Sequence, residues 1–423
     1  MRLFARALLT TGGQYRYTGA MNDTMLLAAS CAVGLERILS TELERLGAEP
    51  AGRSPGRVQI RADEKLLARI LVRSRIADRL FLVAGRFPAA DFDQLFEGAK
   101  AIAWERWIGK NDRLIIEKAR SVRSKLAAQN SIQSVSLKAS YERLCAHYGV
   151  ATMAESGNEH LARVRIEDDE ATIELDLCGS PLSKRGYRKN PTEAPLKETV
   201  AAGLLFLSGW KRSFPLYDPF CGSGTIAIEA ALYGLDIAPG LGRSFSWELM
   251  PGGSSTLIQE AKEHARTLIQ PERELLIAGS DADQAALQAA KANAGLAKLE
   301  DRVRFFRSRA EEAAPFAAQG YIITDPPYGK RLGSPEEADE LYASMGSFVE
   351  RFKNWQQCWV VDREELALPG LKPAKCSKIV DGAETRYFHR FKLEGGPSDG
   401  PGERSSREAS RETADPRKTG PRR

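Results

Sequence analysis

Leu216-Tyr217-Asp218-Pro219-Phe220-Cys221-Gly222-Ser223-Gly224-Thr225 reads as a short strand that runs into a Gly-Ser-Gly turn and then into an apolar helix over residues 226–232. Glycines at such a turn let the backbone approach a ligand closely and open the N-terminus of the helix behind it. Two familiar ligands lose ground at once. A dinucleotide fingerprint needs a third glycine where Ala227 stands, and the lysine of a nucleotide-triphosphate loop is absent. Asp218 ends the first strand, where it can cap the following helix or take the ammonium of an amino-acid tail, with backbone N–H groups around Gly222 and Gly224 left for that tail's carboxylate. The next strand, residues 277–281, ends in Asp281, a carboxylate able to accept both hydroxyls of a ribose. An amino-acid end and a ribose end together fit S-adenosylmethionine.

Working outward, the chain after Pro195 alternates helices with strand candidates at 216–218, 275–280, 303–306, 321–324 and 358–361. That rhythm predicts a mostly parallel sheet covered on both faces, closed at its edge by an antiparallel hairpin over 378–380 and 385–392 around Asp381-Gly382. Asp325-Pro326-Pro327-Tyr328-Gly329 follows the fourth strand, at the carboxyl edge where open α/β sheets put their chemistry. The two prolines remove N–H donors and stiffen the loop, so carbonyl oxygens and the Asp325 carboxylate remain as acceptors. Paired acceptors suit an exocyclic amino group, and Tyr328 offers a flat face for an extruded base.

Before residue 195 the pattern differs. Ile38, Leu39, Leu43 and Leu46 form a helical stripe ending at Gly47, short strand-like pieces stand at 58–60, 80–83 and 114–116, and residues 162–177 alternate as a hairpin around Asp168-Asp169-Glu170. This half is expected to be mixed α+β. Its charge is uneven. Residues 21–190 carry net +4 and residues 191–394 net −4, and residues 110–143 hold eight Lys/Arg against three Asp/Glu. Such a stretch can meet a polyanion or be a solvated face. Lys184, Arg185, Arg188 and Lys189, interleaved with Tyr187, read as a phosphate clamp or as a solvated linker.

The 423 residues, 43% hydrophobic and 28% charged, are enough for two or three units with cores. The longest charge-free runs have 12 residues, short of the ~20 that cross a bilayer. Six scattered cysteines without a Cys-x-x-Cys pair and four histidines without metal spacing suggest no disulfide framework and no metal, and a cytoplasmic protein. Cys221 as a ring-attacking nucleophile is set aside, because no base stands beside it in the sequence. Residues 1–20 are expected to be an extension or an overcalled start, and residues 395–423 a disordered tail.

Several separate stretches in the same order resemble one family. These are residues 177–188, 194–199, 218–231, 238–245 and 325–329, within a likeness running from about Leu26 to Leu393. The chain is similar to the class I S-adenosylmethionine-dependent RNA methyltransferases with an N-terminal THUMP domain, in the RlmL/YpsC-like branch. The resemblance implies a ferredoxin-like subdomain (21–85), a THUMP RNA-binding domain (86–180), a basic linker (181–194) and a Rossmann-like methyltransferase domain (195–394) with a seven-stranded sheet. It also implies transfer of a methyl group to N2 of a guanosine in large-subunit ribosomal RNA or its precursor particle, without membrane or metal.

On this reading Asp325, Pro326, Pro327 and Tyr328 are catalytic. The cofactor contacts are Thr199, Asp218, Cys221, Gly222, Gly224, Thr225, Asp281, Ala282, Arg309, Ala310 and Asp325, with Arg309 standing where relatives carry an acid toward the adenine amino group. RNA contacts are Lys118, Arg120, Arg123, Lys125, Lys184, Arg185, Tyr187 and Arg188. Residues 191–394 alone are expected to bind the cofactor, and a single activity is expected. A tRNA guanine-N2 or adenine-N6 methyltransferase, or a non-catalytic RNA-binding assembly factor, are the competing readings.

Overall fold

The computed structural model describes residues 24–188, 196–327 and 335–392. The extension, the tail, Lys189 of the clamp, Tyr328 and Gly329 lie outside the described residues.

The first half forms one seven-stranded sheet from β1 (Met25–Ser30), β2 (Glu49–Ser54), β3 (Arg57–Ala62), β4 (Arg79–Pro88), β5 (Arg113–Val122), β6 (Glu159–Glu167) and β7 (Glu170–Asp176), in the order β2-β3-β1-β4-β7-β6-β5. All neighbours are antiparallel except β5 and β6. The hairpin expected between β6 and β7 turns at Asp168 and Asp169, whose φ values of 53° and 61° match the right-handed twist of the paired strands. The sheet is continuous across the boundary expected near residue 85, because β4 pairs with β7 from Phe81↔Asp176 to Pro88↔Glu170. Four helices cover it: α1 (Glu36–Arg45), α2 (Glu64–Arg73), α3 (Phe92–Ala101) and α4 (Gln129–Tyr148). Asp63 and Asp91 cap α2 and α3 by accepting the amides of Leu66 and Gln94.

The second half is the doubly wound sheet that the strand rhythm predicts. It contains β8 (Leu216–Asp218), β9 (Ile277–Asp281), β10 (Arg304–Arg307), β11 (Gly320–Thr324), β12 (Trp355–Val361), β13 (Lys372–Asp381) and β14 (Glu384–Lys392). Their order is β10-β9-β8-β11-β12-β14-β13, with the first five parallel and β14 antiparallel to both neighbours. Strands β8, β11 and β12 are buried along their whole length, as strands covered on both faces must be. The helices are α5 (Glu198–Ser208), α6 (Thr225–Gly234), α7 (Ser255–Thr267), α8 (Gln284–Leu296), α9 (Pro335–Ser344) and α10 (Gly346–Arg351). The strand order reverses between β8 and β11, which opens a crevice above their carboxyl ends.

The halves share one apolar core that runs from Leu27 through Leu205 and Ala227 to Phe388. Leu35 packs so tightly on Gly203 of α5 that a Cβ there would lie 2.6 Å from its Cδ1. The Gly240 amide donates to the Val72 carbonyl at 2.9 Å. Residues 182–188 sit inside this junction: Leu182 N–H donates to Asp78 O at 2.7 Å, and Leu182 and Tyr187 are buried. The described part of the expected linker is therefore a packed segment rather than a solvated one. Among the described residues no helix is long and apolar enough to cross a membrane.

Candidate cofactor site

Strand β8 delivers Asp218 to the switch point, and the chain then turns through Gly222 and Gly224 into α6. Both glycines have positive φ, 51° and 82°. At Gly224 a side chain is excluded twice over, since a Cβ would also meet Phe305 Cζ at 2.8 Å. A cavity of about 470 Å³, within the range of small-molecule sites, opens over this loop.

Cys221, Gly222, Thr225, Asp281, Ala282, Arg309, Ala310, Asp325 and Pro327 all line that one cavity, although they come from four separate stretches of sequence. Thr199, Asp218, Gly224 and Pro326 are not part of its lining. Thr199 is buried and its hydroxyl donates to Asp78 of the first half. Asp218, 1% exposed, lies beneath the cavity, where Oδ1 accepts from the Thr324 hydroxyl at 2.6 Å and from the Phe220 amide at 3.2 Å. Burial pushes the Asp218 carboxyl up to about 7, reinforced by the negative charges of Asp325 and Asp281 and opposed by its hydrogen bonds from Thr324 and Phe220.

Of the backbone N–H groups around Gly222 and Gly224 expected to take a ligand carboxylate, the two glycine amides themselves are engaged within the protein. Gly222 N–H donates to Asp281 Oδ2 at 2.9 Å, and Gly224 N–H to the Cys221 carbonyl at 2.7 Å. The turn closes on itself and on β9. Asp281 also accepts the Asp283 amide at 3.0 Å on its other oxygen. Each oxygen of a carboxylate offers two acceptor positions, so capacity remains toward the cavity. Burial, with Asp218 and Asp281 nearby, raises the Cys221 thiol well above its ordinary range and keeps it protonated, the opposite of what a nucleophile needs.

Glu311, missed in the sequence, lines the cavity two residues after Arg309, whose guanidinium lies 3.5 Å from it. The wall thus carries an acceptor where Arg309 has none. The signal was the acidic pair Glu311-Glu312 directly after Ala310. Asp283, also missed, lines the cavity and caps α8 through the Ala285 amide.

The expected RNA contacts divide sharply. Lys118 and Arg120 are exposed on β5, the edge strand, and Lys125 and Lys184 are exposed as well. Arg123 is exposed but bonded to Glu167 and Asp168 at 2.7 and 2.8 Å. Arg185 and Tyr187 do not form a phosphate clamp. The Arg185 side chain is 2% exposed, lies 3.4 Å from the fully buried Glu229 of α6, and also donates to the carbonyls of Leu182 and Arg75. Tyr187 donates its hydroxyl to the same Glu229 oxygen at 3.1 Å. Arg188 turns inward to Leu196 and Thr225. A buried carboxylate on α6 requires cationic and hydroxyl partners, and this segment supplies them.

Residues 185–368 match the family model described as "RMKL-like, methyltransferase domain", and residues 26–81 match the "RlmL ferredoxin-like domain". The chain is 35% identical over 366 residues to YpsC of Bacillus subtilis (strain 168), named as an RNA methyltransferase, covering 86% of this chain and 94% of that one. It is 34% identical to the ribosomal RNA large subunit methyltransferase K/L of Syntrophotalea carbinolica over 86% of its own length, but spans only 53% of that relative. The crystal structure of SMU.472, named as a methyltransferase and complexed with SAH, superposes with a TM-score of 0.82 at 33% identity, covering 88% of this chain and 99% of that one.

Proposed function

The chain belongs to the RlmL-like methyltransferase family that includes YpsC and the K/L ribosomal enzymes, and from that premise we propose that it transfers a methyl group from S-adenosylmethionine to N2 of a guanosine in large-subunit (23S) ribosomal RNA. The observation that carries this reading is the meeting, in one cavity, of the glycine loop, Asp281 and the acceptor-rich loop begun by Asp325.

The residues present fit the cofactor. Asp281 keeps acceptor capacity for ribose hydroxyls, and Glu311 supplies the carboxylate that an adenine amino group needs beside Ala310. Asp325 lines the same cavity as Cys221 and Gly222. S-adenosylmethionine supplies a methyl group on a positively charged sulfonium, so no strong base is required. Asp325 and the carbonyls of its proline-stiffened loop accept from the guanine amino group and turn its nitrogen toward the cavity. An Asp325 carboxylate oxygen then draws off the proton that the amino nitrogen loses. Holding the two reacting groups in register accounts for much of the rate. Tyr328, three residues after Asp325 in the sequence, is the proposed stacking face for the extruded base.

RNA is held mainly through phosphates by the exposed Lys118, Arg120 and Lys125 on a THUMP unit over residues 86–180, with the exposed Lys184 just beyond it. A ribosomal RNA substrate fits the cytoplasmic location expected from the cysteine pattern.

Mass spectrometry of ribosomal RNA nucleosides from cells lacking the gene tests the assignment. Loss of one N2-methylguanosine is expected. An unchanged ribosomal profile with a methyl group missing from tRNA, or loss of N6-methyladenosine, would replace the acceptor proposed here.

A further inference from the structure

Arg188 lies in the packed segment between the halves, with 12% of its side chain exposed. One nitrogen of its guanidinium, Nη2, donates both to the Leu196 carbonyl at 3.0 Å and to the Thr225 hydroxyl at 2.5 Å. Leu196 and Thr225 both line the cavity, Leu196 just before α5 and Thr225 as the first residue of α6. The Arg188 Nε stands 3.6 Å from Glu198 of α5, so a carboxylate helps hold the charge at this junction. The segment is itself anchored to the first half, through Leu182 to Asp78 and through Arg185 to the Arg75 carbonyl.

From this geometry we infer that Arg188 is a positioning residue of the cofactor cavity, a brace that fixes the start of α5 relative to the start of α6. Two wall elements far apart in sequence need a shared partner to keep their spacing. A planar guanidinium with five donors holds a carbonyl and a hydroxyl together in a way that a lysine ammonium reproduces only in part. The glycine turn cannot do this, because its Gly222 and Gly224 amides are already engaged with Asp281 and Cys221. A guanidinium turned inward in this way does not contact RNA phosphates.

This inference rests on the reading of the cavity as the S-adenosylmethionine site. The test uses the full-length chain, with SAH titrated calorimetrically into wild type, Arg188→Met, Arg188→Lys, Thr225→Val and the Arg188→Met/Thr225→Val double variant. RNA binding of each is measured across a salt series. Arg188→Met is expected to weaken SAH binding at least tenfold and Arg188→Lys to recover part of the loss. The double variant should lose less than the sum of the two single losses, since both changes break the Arg188–Thr225 contact, and the salt dependence of RNA binding should equal that of wild type. Unchanged SAH affinity in Arg188→Met, additive losses in the double variant, or a shallower salt dependence would each overturn the role. If Arg188→Met does not fold, Arg188→Lys and Thr225→Val carry the test, and wild-type SAH affinity in both overturns it. Wild-type protein that binds no SAH would instead overturn the cofactor reading, and this inference with it.

Discussion

The Thr324 hydroxyl donates to Asp218 Oδ1 at 2.6 Å and so ties the carboxyl ends of β11 and β8 together across the switch point of the sheet. Thr324 immediately precedes Asp325. The bond therefore links the strand that leads into the glycine loop with the loop proposed to hold the substrate amino group.

Asp218 makes this junction sensitive to pH. Its carboxyl is raised from 3.8 to about 7 by burial, so between those values the folded chain holds a proton that the unfolded chain has released. Stability then falls as pH rises through that window, by an amount on the order of a few kcal/mol. Asp218→Asn keeps an acceptor for Thr324 and cannot ionise. Denaturant unfolding at pH 5 and pH 8 should show the variant gaining on wild type at the higher pH, and a difference that does not change with pH would contradict the burial argument.

Asp281→Ala removes the proposed ribose acceptor and also frees the Gly222 amide. Cofactor binding should weaken by about 1.5–3 kcal/mol or more, as expected for a lost charged hydrogen bond. Calorimetric titration with SAH measures it, and a wild-type dissociation constant would remove Asp281 from the site.

For Asp325→Ala the loss should fall on a different step. SAH affinity stays close to wild type while single-turnover methyl transfer at saturating RNA slows, because the proposed partner of Asp325 is the amino group in the transition state. Full activity of this variant would end the mechanism proposed above.

Glu229 is fully buried with Arg185 and Tyr187 as its partners. Arg185→Met removes the ion-pair partner of that carboxylate, leaving it only the Tyr187 hydroxyl and the attraction of the buried Arg75, and destabilisation of about 3–5 kcal/mol is expected, read from unfolding midpoints. The salt dependence of RNA binding should not change. The same geometry revises the expectation that residues 191–394 alone bind the cofactor. That fragment lacks Arg185, Tyr187 and Arg188, so it should fail to give a cooperative unfolding transition.

On the RNA side, Lys118→Ala and Arg120→Ala should each reduce the log–log salt slope of binding by about one. Arg123→Ala should change it less, because Glu167 and Asp168 already occupy that guanidinium. Equal effects at all three positions would show that the ion pairs of Arg123 open when RNA binds.

The elements set by local sequence were legible without the fold. Strand β8 falls at residues 216–218 as read, the turn at Asp168-Asp169 stands where the alternation breaks, and the Asp325 loop follows a strand whose apolar run marks its burial. Helix α4 was not legible, because its buried face is built from Ser136, Ala139 and Ser140 as much as from Ile132 and Leu144, which blurs the apolar stripe. The gathering of Asp281 and Asp325 at one crevice followed from strand rhythm, since parallel strands all end on the same edge, whereas Arg309 was expected there only from the family resemblance. What Arg185, Tyr187 and Arg188 do was decided only in three dimensions. A basic, aromatic segment reads the same whether it meets phosphate or a carboxylate. Glu229, the carboxylate it meets, stands 44 residues beyond Arg185 on a helix otherwise packed in apolar surroundings. The Gly222 amide was likewise committed to Asp281, 59 residues away. The direction a charge or an amide takes depends on which partner burial leaves it, and burial is fixed by contacts distant in the chain.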